Sequence, residues 1–162
     1  MTADADFQSA EIATCWRYIA SSLDRLVGVV QGLDAADLQW RPPAPETNSL
    51  AALATHTLGN AEENLLGVLC GRPVRRDRDA EFAASAPSAA ELAARWADLR
   101  ARLETALAAL PAAELARERE HPRRGAITGL AVLLVVARHA AEHLGQAALT
   151  RDLLRAARGR AS

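Results

Sequence analysis

The chain contains no lysine: all 19 of its basic residues are arginine, set against 20 acidic residues for a formal net charge of −1. That balance excludes the broad positive field that nucleic acid or an anionic membrane surface attracts. The guanidinium fork grips carboxylates and phosphates in pairs, but a compositional bias that also enriches Ala accounts for an all-Arg set just as simply. Aromatic residues are nearly missing, at 4% of a chain that is half hydrophobic. A core must therefore come from Leu, Val and Ala, residues that favour helices over strands, and the fold class expected is all-α. There are two cysteines, Cys15 and Cys70. They make no CxxC or zinc-ribbon spacing and no disulfide framework, and read as small core residues of a protein in a reducing cytosol. No long apolar run exists: "ITGLAVLLVVA" at 127–137 falls well short of the roughly 20 residues that span a bilayer. The start, "MTADADFQSAE", lacks the basic-then-apolar order of a signal peptide. A cytoplasmic protein follows, with no membrane and no nucleic-acid partner.

What is present is helical periodicity. Residues 1–162 read as a single domain with four long helices. The first runs from about Ser9 to Gln31, with Ile12, Trp16, Ile19, Leu23, Leu26 and Val30 spaced three and four apart and Gly32 as its stop. The second runs from about Ser49 to Leu69, capped by Thr47 or Asn48 and ended at Gly71-Arg72-Pro73. The third opens on "SAAE", where Ser88 and Glu91 have capping-box spacing, and closes at Pro111. The fourth runs from about Ala126 to Ala157, after the breaker-rich "HPRRG". Four amphipathic helices predict a four-helix bundle. Residues 71–87, "GRPVRRDRDAEFAASAP", are too many and too polar for a tight turn. They can reach along a helix of about 30 Å, which predicts a long crossover between helices 2 and 3, with those two helices parallel. The arginines of that crossover, Arg72, Arg75, Arg76 and Arg78, are interleaved with Asp77 and Asp79. A solvated, self-neutralising loop is the favoured reading, and reception of a ligand's carboxylates the other.

Chemistry concentrates on histidine. In "RHAAEHLGQ" at 138–146, His139 and His143 stand four apart. On a helix such residues have Cβ atoms about 5–6 Å apart, so two imidazoles can converge on one ion; equally, the pair can be two polar residues on an amphipathic surface. They share an arc with Val132, Val136, Gln146 and Thr150, where a charged histidine is costly and a metal-bound neutral one is not. His56, in "LAALATHTLGNAEENLL", supplies a third candidate ligand from the second helix. Three protein ligands leave coordination positions open, the arrangement of catalytic rather than structural sites. Asn60 and Glu63 follow His56 on its face and Gln146 follows His143; any of the three is a candidate to orient an imidazole or act beside the metal. Glu142 is turned about 100° away by the helical pitch, and a salt bridge with Arg138 at i−4 is as ready a fate for it as a place at the site. His121 is assigned only a solvated loop. No Ser-His-Asp order, Gly-rich phosphate loop or paired carboxylates accompany the triad.

The order of these parts resembles a known family. A long first helix is followed by "LQWRPPAPETNSLAALATH", with Trp40-Arg41-Pro42, Asn48-Ser49 and His56, and a last helix carries "RHAAEHLGQAALTRDLL". The whole chain in this respect resembles the DinB-like (damage-inducible protein, YfiT-like) superfamily of metalloenzymes. The resemblance implies a four-helix bundle with one crossover, a divalent ion (zinc or nickel) on His56, His139 and His143, and a homodimer. It also implies thiol-dependent S-transfer or isomerisation using mycothiol, bacillithiol or glutathione. A coordinated thiol is held as the reactive thiolate at neutral pH. The alternatives are a hydrolase working through water on the metal, whose pKa can fall to about 7, and a non-catalytic metal-binding bundle serving as an interaction or stress-related module. A metal-free helical protein with incidental histidines is the last reading, and the triad speaks against it.

Overall fold

The computed structural model describes residues 6–82 and 87–159. Among the described residues are five α-helices: α1 Ala10–Val30, α2 Ala35–Gln39, α3 Leu50–Ala61, α4 Ala89–Ala108 and α5 Gly129–Gly159. The four long helices expected from periodicity are α1, α3 with its extension, α4 and α5. The architecture is all-α, a helix bundle. Helix α1 packs most extensively on α5 and also touches α4 and α3, while α3 packs on α5. Each apolar residue of the α1 stripe, Ile12, Trp16, Ile19, Leu23, Leu26 and Val30, is buried in one core with Leu50, Leu58, Leu92, Leu103, Val132 and Leu133. The core is mostly Leu, Val and Ala, as the scarcity of aromatics requires. Trp16 and Trp96 meet within it at 6.3 Å between ring centroids, and the Trp96 indole finds a partner by donating to Asp24 Oδ1 at 2.7 Å. No described helix is long and apolar enough to cross a membrane.

Helix starts are set by short side chains. The Ser9 hydroxyl accepts from the Ile12 amide. Ser88 and Glu91 close the capping box in both directions. For α3 the cap is Ser49, whose Oγ accepts from the Ala52 amide at 3.2 Å. Thr47 and Asn48, the residues expected to cap it, lie two and one residues too early. The Thr47 hydroxyl instead donates to the carbonyls of Pro42 and Ala44 and ties down the loop before the helix.

Three features are absent from the periodicity. Helix α3 does not stop at Ala61 but widens into a π-helical stretch over Glu62–Leu69, ended by a Cys70 N–H to Leu65 carbonyl bond. A hairpin, β1 Glu118–His121 and β2 Gly125–Thr128, pairs antiparallel with Arg119 opposite Ile127. Gly125 supplies the left-handed φ of +67° that closes its turn. Because residues 125–128 belong to this hairpin, α5 begins at Gly129 rather than near Ala126. Finally, the stretch between the π turn and α4 is the expected long crossover, and within it Ala80–Phe82 form one 3-10 turn. The Asp77 carboxylate starts that turn by accepting from the Ala80 amide.

Candidate metal centre

Helix α3 presents His56 towards α5, and α5 returns His139 and His143 from one face, one turn apart. The ligand nitrogens of the three lie within 4.8 Å of one another. Nε2 of His139 is 3.2 Å from Nε2 of His56 and 3.1 Å from Nε2 of His143. The ring planes of His139 and His143 stand nearly perpendicular, at 80°. His56 is buried, at 6% exposure, and the other two are half-buried.

The outer nitrogens decide what the inner ones can do. His56 Nδ1 lies 2.9 Å from Glu81 Oε2. A carboxylate only accepts, so Nδ1 carries a proton and, in the neutral ring, Nε2 is a bare lone pair. Arg76 Nη2 also lies 3.2 Å from that Nδ1, but two donors cannot bond each other. The approach arises because both converge on Glu81 Oε2, which Arg76 Nη2 reaches at 2.7 Å. His143 Nδ1 is 2.6 Å from the Gln146 amide oxygen, which again puts the proton on Nδ1 and a lone pair on Nε2. His139 sits between two such lone pairs and has at most one proton on its own Nε2, so it can satisfy one neighbour only. Its Nδ1 is buried without a partner among the described residues. A cation among the three Nε2 atoms resolves this frustration where no arrangement of protons does. Two bonds of about 2.0–2.1 Å at a tetrahedral angle set their nitrogens roughly 3.3 Å apart, close to the spacing found. Three neutral imidazoles suit zinc, nickel and other first-row divalent ions.

Electrostatics disfavour charge on two of the three rings. Burial, then the neighbouring His143 and His56, then Arg76 and Arg138, push the His139 pKa down to about 3. Burial also lowers that of His143, although Gln146 and Glu142 act the other way. Around the cluster runs a charged belt. Arg76 grips Glu81 with two bonds, Nε to Oε1 and Nη2 to Oε2, each 2.7 Å. Its Nη1 donates to Glu63 at 2.9 Å, and Arg123 closes on Glu63 from the hairpin side.

Of the three accessory residues expected near the triad, Gln146 alone hydrogen-bonds a ligand imidazole. Glu63 binds Arg76 and Arg123. Asn60 is buried, with its Oδ1 unpartnered among the described residues. Glu142 pairs with Arg138 at 2.7 Å, as its position on the helix suggests. Two readings need correction. His121 is not solvated but 3% exposed. Its Nε2 donates to Asn64 Oδ1 at 2.8 Å and its Nδ1 accepts from the Arg123 amide, because the β1 turn folds it onto the π stretch. Arg76 is likewise no part of a solvated loop. Its side chain is only 5% exposed, paired with two glutamates, while Arg72, Arg75 and Arg78 are exposed. Glu81 was missed altogether. The one sequence signal for it is Gly59, an unexplained glycine inside an Ala- and Leu-rich helix, three residues after His56.

A family model for the DinB superfamily matches residues 18–147, a span that includes all three histidines. Among solved structures, a DinB-like protein from Bacillus cereus ATCC 10987 superposes with a TM-score of 0.68 at 20% sequence identity, covering 89% of this chain and 91% of that one; the likeness is one of fold. No curated protein sequence matches this chain.

Proposed function

The chain belongs to the DinB superfamily, and on that premise we propose that His56, His139 and His143 bind a divalent ion, zinc or nickel, through Nε2, and that the site serves a thiol-dependent S-transferase or isomerase. The observation that carries the metal reading is the set of three converging Nε2 atoms, two of them fixed as lone pairs by Glu81 and Gln146. The ion would supply Lewis acidity, the property that keeps a thiol as its nucleophilic thiolate near neutral pH. The chain's own residues supply placement. Burial keeps His139 neutral, so the donor set at pH 7 needs no proton removed from that ring. Gln146, whose carbonyl oxygen accepts from His143, also lines a groove of about 310 Å³ with Pro42, Thr47, Leu53, Leu149 and Leu153. That groove is mostly apolar with few polar groups, the usual character of a small-molecule site, and it lies beside the triad because Gln146 belongs to both. No second nucleophile or acid–base pair stands among the described residues of the cluster, in keeping with a reaction whose nucleophile arrives with a cofactor.

The experiment has two stages. Untagged protein is analysed for bound metal, then assayed for conjugation of electrophiles with mycothiol, bacillithiol and glutathione in turn. One ion per chain and turnover with one of these thiols, both lost in His56→Ala, support the reading. A metal-loaded protein inactive with every thiol removes the transferase part and leaves the metal site.

A further inference from the structure

Gly59 lies in the last turn of α3, just before the helix continues into its π-helical extension, where alanine is the better helix former. A Cβ there would stand 2.0 Å from Glu81 Oε1 and 3.1 Å from Arg76 Nε. The crossover therefore presses a carboxylate and a guanidinium directly onto the helix backbone, three residues from His56. The pair is buried, with side-chain exposures of 5% for Arg76 and 7% for Glu81. Both carboxylate oxygens are engaged: Glu81 Oε1 accepts from Arg76 Nε, and Oε2 from Arg76 Nη2 and His56 Nδ1. Arg76 further donates to Glu63 and to the His56 carbonyl. The next residue, Phe82, covers the His56 ring with centroids 4.8 Å apart. Buried ion pairs add little stability over apolar packing, so stability alone does not account for three residues of a polar crossover converging on one imidazole. Their common product is a His56 held in a single tautomer and a single orientation, with Nε2 aimed at His139.

We infer that the crossover is part of the metal centre: Glu81, oriented by Arg76 and admitted by the side-chain-free Gly59, is the positioning residue that makes His56 a ligand. The inference rests on the proposed metal reading of the triad. A carboxylate on the outer nitrogen fixes the ring and raises the basicity of the inner one, and loss of such partners costs 10–100-fold in metal affinity. Linkage then works in both directions. A docked crossover that raises metal affinity by a given factor is itself favoured by that factor once metal is bound.

The test uses the full-length, untagged chain, with zinc affinity measured by competition against a chromogenic chelator and the crossover followed by hydrogen–deuterium exchange over residues 72–82. E81Q keeps the shape and removes the charge, and Arg76 still has Glu63 as a partner. G59A leaves every donor in place and fills the recess. Both variants should keep wild-type far-ultraviolet circular dichroism, and both should bind zinc at least tenfold more weakly. Zinc should slow exchange at 72–82 in the wild type and do so less in E81Q. E81Q binding within threefold of wild type, with equal protection of the crossover, overturns the role of Glu81. G59A binding within threefold overturns the recess. A wild-type chain that binds no zinc or nickel overturns the metal reading as well, whereas normal wild-type binding with unaffected variants overturns this inference alone.

Discussion

At the scale of single residues, His139 is the most constrained group in the cluster. Its folded pKa of about 3 lies well below the ordinary histidine value of about 6.5 in an unfolded chain. Between those values the unfolded chain holds a proton that the folded one refuses, so stability rises with pH across that window and is lost as pH falls. The lowered carboxyls Glu63 and Glu81 contribute their own acid lability only below the ordinary glutamate range of about 4.3, so the two effects separate. Metal-free protein should therefore lose urea resistance between about pH 7 and 5, and His139→Asn should make that dependence shallower without removing it, since burial lowers His143 and His121 as well; an unchanged slope in the variant contradicts the assignment. The triad itself was legible because each member carried a pattern, an i,i+4 pair on one helix and a third histidine on a helix that a bundle must pack nearby. Arg76 carried none, and Glu81 only the indirect mark of Gly59. Their proximity to His56 comes from where an irregular crossover lands, which periodicity does not encode. His121 was misread for the same reason, since a four-residue strand beside a turn leaves almost no repeat to detect.

Among the elements, the long helices were legible from their apolar spacing and their capping chemistry. The capping box at Ser88 and Glu91 illustrates this, because both of its bonds form. Replacing Ser88 with Ala should destabilise the protein by about 1 kcal/mol, read as a lower urea midpoint at unchanged slope. Zinc affinity should not change, as α4 contributes no ligand; a loss of affinity would mean that α4 shapes the site after all. The π-helical stretch over Glu62–Leu69 was invisible, since wider turns alter hydrogen-bond partners without altering composition. Its effect is local: it carries Glu63, which meets Arg76 and Arg123, and Asn64, which receives His121. The belt around the metal centre is thus assembled from the α3 extension, the crossover and the hairpin. Opposite it, Gln146 of α5 holds the second outer nitrogen.

For the molecule as a whole, three histidines on two helices would make a bound metal a clasp across the bundle. A ligand that binds only the folded state stabilises it by about 4 kcal/mol when present at a thousand times its dissociation constant. Zinc or nickel should therefore raise Tm reversibly, chelator should lower it again, and calcium, which prefers oxygen ligands, should do neither. Equal stabilisation by calcium would point to a carboxylate site elsewhere. The most direct test of the central claim is the metal content and zinc affinity of untagged protein, compared with His56→Ala, His139→Ala and His143→Ala. One ion per wild-type chain, with tight binding abolished by each substitution alone, is the predicted result. A wild-type chain with no bound ion and no measurable affinity, or one whose affinity survives His56→Ala, would contradict the account.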